Sequence, residues 1–378
     1  MARLSVLQPA IARILKTTAG CIVKPIVLFK PIHQSKDTVR LAADFKQFIR
    51  QISWEKYFPR QYLIGIKLHF GEKNNTGHIP SPVIKVLADK LKSLKHKPFL
   101  TDTNVLYHGG RTNTVDHLIL ASQHGFSLEK SGVPVIIADG LTGEHVHEIP
   151  FSGKHCTTIK AAGIIRHLHG LVSVAHYTGH MLTGFGGTIK NIGMGLANRA
   201  GKQIQHSAIK PSVLPRSCTF CKQCIRICPV HAITESNKKA VIDQNTCIGC
   251  GDCIVACQFK AIDITWEESI PVTEEKMAEY ATGIIRSIPH SYFINMAVRI
   301  TKECDCMAGD DPSVVEDIGV LGSPDPVALD KATLDLVNAK AGKDIFKILH
   351  PESDYLRQLN YAAELGLGSL SYELKEIA

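Results

Sequence analysis

Two similar cysteine runs in the middle of the chain constrain its fold more than any other feature. Both have the spacing C-x2-C-x2-C-x3-C, and they begin at Cys218 and Cys247. Together they hold eight of the 12 cysteines. Disulfide scaffolds are short secreted chains, whereas this chain has 378 residues. The distribution therefore indicates metal or cluster ligation in a reducing compartment, and the repetition indicates a unit with pseudo-twofold symmetry.

The spacing of the runs also predicts which thiolates share a cluster. Three thiolates separated by two residues can wrap one face of a 4Fe–4S cubane, whereas the fourth cannot reach the same cube and serves the other one. We therefore predict two 4Fe–4S clusters in a region that resembles the two-cluster bacterial ferredoxin domain. The first cluster is assigned to Cys218, Cys221, Cys224 and Cys257, and the second to Cys247, Cys250, Cys253 and Cys228. Structural zinc, which takes two separated pairs of ligands, fits this spacing poorly.

Strand-like and helix-like stretches alternate outside the cysteine runs. This alternation predicts an α/β fold with a doubly wound, mostly parallel sheet and an inserted α+β ferredoxin-like domain. The predicted strands are Ile22–Lys30, Tyr62–Phe70, Pro98–Thr101, Val133–Ala138, Gly170–Val174 and Val314–Ser323. The predicted helices are Thr38–Ile52, Ser81–Leu94, Asn113–His124 and Asp325–Lys340.

Four segments follow from this pattern. They are a basic N-terminal extension (1–21), a first part of the α/β domain (22–207), the two-cluster insertion (208–268) and a second part of the α/β domain (269–378). Three sequential domains are the alternative. In the extension, Arg13 and Lys16 interrupt the apolar centre that a secretory signal needs. An organelle-targeting segment and an ordinary surface helix both stay open.

Composition narrows the classes of function. The formal net charge is +8 and aromatic residues make up 6% of the chain, with no basic stripe interleaved with aromatics. These features do not support nucleic-acid binding. No clean 18-residue apolar run occurs, so we predict no transmembrane segment. We expect a cytoplasmic protein that meets a redox partner protein and binds an anionic small molecule.

Polar side chains follow several predicted strands and define a candidate site. Parallel sheets bind ligands beyond the carboxyl ends of their strands, so these side chains are expected to converge. They are Lys67 and His69, then Asp102, Thr103 and Asn104, then Asp139 and Gly140, and finally His176, Tyr177 and His180. A single polar residue at the end of a strand usually caps a helix or forms a turn. The same interpretation applies to Arg111, which is expected to open a helix.

A glycine-rich segment follows the predicted strand Gly170–Val174 and its polar residues. Its residues Gly184, Gly186, Gly187, Lys190 and Asn191 could cradle an anion or cofactor, because glycines allow close backbone approach and lysine supplies charge. The segment does not match the P-loop pattern, so nucleotide hydrolysis is not supported. The alternative is tight packing against the cysteine module.

A second cysteine motif, Glu303-Cys304-Asp305-Cys306, lies in the C-terminal third of the chain. Cys304 and Cys306 could ligate an additional metal or ligand, form a redox disulfide, or be ordinary thiols in a turn. The remaining cysteines, Cys21 and Cys156, have no partner in sequence and are expected to be structural.

The chain resembles a family of uncharacterised iron–sulfur centre proteins, domain of unknown function 362. The motifs that carry the resemblance are the segments 66–72 (IKLHFGE), 101–104 (TDTN), 184–187 (GFGG) with Lys190-Asn191, 303–306 (ECDC), 317–319 (DIG) and 325–328 (DPVA), together with the ferredoxin-type insertion. It covers residues 22–378. The resemblance implies 4Fe–4S binding and the cytoplasm of an anaerobe, and it supplies no substrate because the family has no settled reaction.

Three functions fit these features. The first is an iron–sulfur oxidoreductase, in which electrons pass through the clusters to a site with Lys67, His69, Asp102 and His180 as catalytic residues. Histidine titrates near neutral pH and suits proton transfer. The second is a ferredoxin-like electron carrier or a docking subunit of a larger redox complex. The third is a metal or cluster assembly factor that works through Cys304 and Cys306.

Overall fold

The computed structural model describes residues 23–107, 109–206, 210–247, 249–263, 270–309 and 311–377. The predictions for residues 1–21, including Cys21, lie outside the described residues. Among the helices of the described ranges, none is long and apolar enough to cross a bilayer.

One twisted sheet of eight strands forms the centre of the molecule. Its spatial order is β16-β1-β15-β14-β7-β2-β3-β4, and all of its neighbouring pairs are parallel except β1–β15 and β14–β15. The strands of this sheet are β1 (Ile26–Pro31), β2 (Leu63–Lys67), β3 (Lys97–Asp102), β4 (Val135–Ile137), β7 (Gly170–His176), β14 (His290–Ala297), β15 (Gly319–Ser323) and β16 (Glu373–Glu376). The prediction of a mostly parallel sheet in an α/β fold is confirmed.

The other strands form two-stranded ribbons. They are β5 (Val146–Pro150) with β6 (Thr158–Ala162), β8 (Thr178–His180) with β9 (Gly184–Gly186), β10 (Ser212–Val213) with β13 (Ile262–Asp263), and β11 (Ile233–Ser236) with β12 (Lys239–Ile242). The predicted strand Tyr62–Phe70 was too long, because the chain leaves the sheet after Lys67 and enters the loop that carries His69. The predicted strand Val314–Ser323 was also too long, because the strand in the sheet begins only at Gly319.

Helices cover both faces of the sheet. They are α1 (Thr38–Arg50), α2 (Trp54–Tyr57), α3 (Ser81–Ser93), α4 (Thr114–Gln123), α5 (Leu128–Ser131), α6 (Thr188–Gly193), α7 (Arg199–His206), α8 (Gln223–Ile227), α9 (Asp252–Ala256), α10 (Ile270–Ser287), α11 (Pro326–Ala341), α12 (Ile345–Leu349) and α13 (Leu356–Glu364). In α1, Leu41, Phe45, Phe48 and Ile49 are buried, the i, i+4, i+7, i+8 spacing of one helical face. Its first turn is capped by Asp37, which accepts from the N–H groups of Val39 and Arg40.

Two apolar cores lie on the two sides of the sheet. Phe45, Leu87 and Ile294 belong to one of them, and Ile189, Ile284 and Leu329 belong to the other. Strand β7 precedes the cysteine runs and β14 follows them, yet the two pair in parallel from Gly170–His290 to His176–Met296. One sheet is therefore built from both sides of the cysteine segment, while the exact domain boundaries stay a prediction.

A buried carboxylate ties the glycine-rich segment to α11. Asp330 accepts from the N–H groups of Thr188 (2.8 Å) and Ile189 (2.9 Å) at the start of α6, and from the side-chain amide of Asn295 (2.7 Å). Burial raises the pKa of Asp330 to about 6. These bonds fix α6 and its lysine above the sheet.

We expect Asp330→Ala to lower the free energy of unfolding by on the order of 3 kcal/mol, because it leaves three buried donors without an acceptor. Urea denaturation of the anaerobic protein measures this. Lys340→Ala, on the same helix but 44% exposed at its side chain, is the control and should change stability by less than about 0.5 kcal/mol. Similar losses of unfolding free energy in the two variants would contradict a stabilising role for the Asp330 hydrogen bonds.

Candidate functional site

A cavity of about 280 Å³ lies beyond the carboxyl ends of β2, β3 and β7. Most of the residues proposed from the sequence line it, namely Lys67, His69, Asp102, Thr103, His176, His180, Gly186, Gly187, Lys190 and Asn191. The convergence expected at this edge of the sheet is therefore largely present.

The other proposed residues lie outside this lining. Gly184 pairs with His180 in the β8–β9 ribbon, where an added Cβ would lie 2.4 Å from the Cβ of Tyr355. Tyr177 is buried in the core against Phe185. The side-chain amide of Asn104 donates to Asp139 Oδ1 and to the carbonyl of Gly140, both at 3.0 Å. These last three residues join two neighbouring loops instead of facing the cavity.

A buried ion network forms the floor of this cavity. Lys67 Nζ lies 3.0 Å from Asp102 Oδ1, and Arg111 lies 3.4 Å from Asp102 Oδ2 and 3.3 Å from Glu72 Oε2. All four side chains are at least 95% buried. The expectation that Arg111 opens a helix was wrong, because Asn113 caps α4 and Arg111 instead balances two carboxylates that face inward.

Burial and nearby charges set the protonation states of the titratable side chains that line the cavity. Burial lowers the pKa of Lys67, and the adjacent Asp102 partly restores it. The pKa of Asp102 lies below its usual value, because Lys67, His117 and Arg111 outweigh the cost of burial. Burial and then Arg111 and Lys67 hold the pKa of His69 well below 6.5. His69 Nδ1 accepts from the N–H of Gly71 (3.0 Å), so the neutral ring keeps its proton on Nε2.

The glycine-rich segment places one lysine and one amide at the cavity wall. Asn191 accepts from Lys67 Nζ (2.8 Å) and donates to Ser173 Oγ (2.9 Å), so it orients the Lys67 ammonium. Gly187 is required because an added Cβ would lie 2.5 Å from Asp330 Oδ1. The segment lines the cavity and packs on α11. The role of these residues in binding a cofactor stays a prediction.

Cys304 and Cys306 form a disulfide at the edge of the same cavity. A ring nitrogen of His180 and the two sulfurs all lie within 4.8 Å of one another. Lys190 Nζ lies 3.6 Å from Cys304 Sγ. Of the alternatives that the sequence left open for this motif, the structure contains the disulfide.

The eight cysteines of the two runs surround two small cavities of their own. One is lined by Cys218, Cys221, Cys224 and Cys257, and the other by Cys228, Cys247, Cys250 and Cys253. The fourth cysteine of each run therefore lies with the first three of the other run. This is the grouping that the spacing predicts for two clusters.

The surroundings of these thiols fit iron–sulfur clusters. Backbone N–H groups of Ala232, Ala261 and Gly249 donate to Cys228, Cys257 and Cys247 at 3.2, 3.2 and 3.4 Å. Apolar side chains pack around the cysteines, including Ile233, Ile242, Ile254 and Ile262. Burial raises the pKa of Cys250 to about 11, so a thiolate here needs a bound cation to stabilise it.

One leucine separates the second cysteine cavity from the central one. Leu106 lines the central cavity and also packs in the apolar cluster of the cysteine segment. Gly251, which lines the second cysteine cavity, lies so close that an added Cβ would be 3.1 Å from Leu106 Cδ1. Arg199 reaches across the same boundary to Asp252 at 3.8 Å. The second cysteine group is therefore a direct neighbour of the candidate site.

A family model described as a domain of unknown function (DUF362) matches residues 64–335. The chain belongs to the DUF362 family. The matched range spans both parts of the central sheet and the cysteine runs between them. The resemblance seen in the sequence motifs is confirmed.

Curated relatives of this DUF362 protein carry redox names. The chain is 43% identical over 47 residues to a subunit of an ion-translocating oxidoreductase complex of Methanosarcina acetivorans, covering 12% of this chain and 18% of that protein. It is 32% identical over 78 residues to the iron-sulfur subunit of a putative dimethyl sulfoxide reductase of Halobacterium salinarum, covering 20% and 28%. The matched segments span less than a third of either relative.

A solved structure of a Thermotoga maritima protein superimposes on the DUF362 protein with a TM-score of 0.41 and 9% identity. The superposition covers 82% of this chain and 59% of that one.

Some residues of the site were missed by sequence reasoning. Lys202 lines the cavity and donates to Thr103 Oγ1 and to the carbonyl of Ala197 (2.6 Å). Asp305 accepts from His176 Nδ1 (2.9 Å). Lys202 sits on a polar helix with no signal of its own. Asp305 could have been found, because it stands between the two cysteines of a motif already singled out.

Proposed function

We propose that this DUF362 protein is an iron–sulfur oxidoreductase that carries two 4Fe–4S clusters and delivers electrons to a redox site in the central cavity. The observation that carries the proposal is the packing of Leu106 between the cysteine cavity at Gly251 and the central cavity. Bound at these cysteines, the clusters would supply one-electron transfer. The iron–sulfur and oxidoreductase names of the relatives support the same role.

The lining of the cavity favours an anionic substrate. Lys190 adds positive charge inside a buried site, where it is poorly screened, beyond the charges of Lys67 and Arg111 that Asp102 and Glu72 balance. Neutral His69 offers its Nε2–H as a hydrogen-bond donor to a bound anion. Met181 and Met307 line the cavity and are half exposed, so the site is open to solvent and substrate on that side.

A reoxidation experiment tests the proposal. Protein purified without oxygen should contain about eight iron and about eight sulfide per chain. After reduction with dithionite, a panel of reducible anions (nitrite, sulfite and fumarate) is added and recovery of the visible cluster absorbance is followed. Because His69 would donate its Nε2–H to the bound anion, we expect His69→Ala to slow that recovery by about 10²-fold or more without changing the iron content.

The matched control is His33→Ala, because His33 is exposed and does not line the cavity. Equal rates of reoxidation in wild type and His69→Ala would show that the central cavity is not the redox site. Reduced protein that none of these anions reoxidises, but that a co-purified redox protein does, would favour the electron carrier or docking subunit.

A further inference from the structure

The Cys304–Cys306 disulfide is exposed to the cavity rather than packed in the core. Both cysteines line the cavity, as Lys67 and His69 do. Because only Asp305 lies between them in sequence, this bond closes a very small loop and adds little to the stability of the fold. A disulfide in this position is better suited to a redox reaction than to stabilising the fold.

The loop that carries the two cysteines is held from three sides. His176 donates from Nδ1 to Asp305 and from Nε2 to the carbonyl of Val298 (2.9 and 2.8 Å). The N–H of Glu72 donates to the Asp305 carbonyl (2.9 Å), and Tyr107 Oη donates to the Cys306 carbonyl (3.1 Å). None of these bonds involves a sulfur atom, so the S–S bond can open and close while the loop stays in place.

The two side chains beside the sulfurs suit a thiolate. Lys190 Nζ, at 3.6 Å from Cys304 Sγ, would pair with the charge that forms there. Burial and the nearby Lys67 lower the pKa of Lys190 to about 8, which leaves the amine mostly charged at neutral pH. His180 Nδ1 accepts from the N–H groups of Leu182 (3.2 Å) and Thr183 (3.3 Å), so the neutral ring keeps an N–H donor on Nε2.

The same hydrogen bonds disfavour a metal ion held by His180, Cys304 and Cys306. A metal takes the lone pair of a neutral imidazole nitrogen. Here the lone pair on Nδ1 of His180 already receives two N–H groups, and Nε2 carries the proton. The ammonium of Lys190 beside the sulfurs would also repel a cation.

We propose that Cys304 and Cys306 are a redox-active dithiol–disulfide pair that stores two electrons at the central cavity. The inference rests on the proposed function, since it names the first acceptor of the electrons delivered there. On reduction the S–S bond breaks and the pair gains two electrons from one-electron donors of the iron–sulfur class. Cys304 becomes a thiolate paired with Lys190, and Cys306 takes one proton from water that enters the open side of the cavity. The pair thus converts single-electron delivery into a two-electron store.

Thiol mapping during a reductive titration tests the pair. The oxidised holoprotein is titrated anaerobically with reduced methyl viologen while cluster absorbance is followed. Samples are denatured, alkylated with iodoacetamide and mapped by mass spectrometry. We expect alkylation of Cys304 and Cys306 to rise about tenfold on reduction, with about two electrons taken up beyond those that bleach the clusters. The Cys304→Ser/Cys306→Ser variant should take up about two electrons fewer, with cluster absorbance unchanged.

The outcomes separate this inference from the proposed function. Bleached clusters with the pair unlabelled, or equal labelling before and after reduction, would overturn the inference alone. A metal ion bound stoichiometrically and lost in the double serine variant would also overturn it. Protein without clusters whose disulfide still opens with dithiothreitol in the folded state would overturn the proposed function and support the pair.

Discussion

Replacing Cys257 by alanine should remove the cluster at the first cysteine run, although Cys257 itself belongs to the second run. The cluster at Cys247, Cys250 and Cys253 should stay. Cys257 lines the same small cavity as Cys218, Cys221 and Cys224, although it follows Cys253 in sequence. We therefore expect Cys224→Ala and Cys257→Ala each to retain about half of the iron and sulfide of the wild type, since each removes one ligand of the same cluster.

Double variants separate crossed from uncrossed ligation. With crossed ligands, Cys224→Ala/Cys257→Ala should still keep about half of the iron, because both cysteines belong to one cluster. Cys253→Ala/Cys257→Ala should lose nearly all of it. Uncrossed ligation gives the opposite pattern, and zinc in place of iron in the anaerobic wild type would refute both. Cys156→Ala is the control, since this buried thiol lies outside both runs and should leave the iron content unchanged.

The grouping of the cluster cysteines could be predicted from the sequence, because the spacing of the two runs alone decides it. The grouping of Cys228 with the second run follows from the reach of a thiolate, and no tertiary information is needed. Strand–helix alternation likewise indicates the parallel sheet, and the carboxyl ends of β2, β3 and β7 bring Lys67, Asp102 and His180 to one cavity.

The rest depended on contacts between residues far apart in sequence. Asp330 binds Thr188 and Ile189 across 142 and 141 residues, and nothing near Asp330 marks it as a partner of the glycine-rich segment. Arg111 was misjudged for the same reason, because its partner Glu72 lies 39 residues earlier. Strand β15 was found, but its antiparallel pairing with β1 and β14 carries no local signal.

Replacing Asp102 by asparagine should cost the fold about 3–5 kcal/mol at neutral pH, because it leaves Lys67 and Arg111 buried beside a neutral amide. The remaining partners of Lys67 are the carbonyl of Leu68 (3.1 Å) and Asn191 (2.8 Å), which are uncharged. Urea denaturation measures the loss. Asp89→Asn is the matched control, because Asp89 forms exposed pairs with two lysines and should cost less than about 1 kcal/mol.

A second substitution shows whether the loss is electrostatic. Lys67→Met removes the cation that Asp102→Asn would strand, so the double variant should recover part of the stability lost by Asp102→Asn alone. Full additivity of the two single effects would show that the pair is not coupled. The signature sought is a coupling of about 1 kcal/mol or more.

The pH dependence gives an independent check with a definite sign. The pKa of Asp102 is held below its usual 3.8, chiefly by Lys67, His117 and Arg111 against the cost of burial. A carboxylate whose pKa is depressed on folding stabilises the native state above 3.8, and that stabilisation is lost as pH falls through the folded-state pKa. The difference in unfolding free energy between wild type and Asp102→Asn should therefore be largest at neutral pH and shrink once pH falls below about 4. A difference that stays constant down to the acid transition would mean that the Asp102 charge does not bind the two cations, and that the cavity floor is held by packing instead.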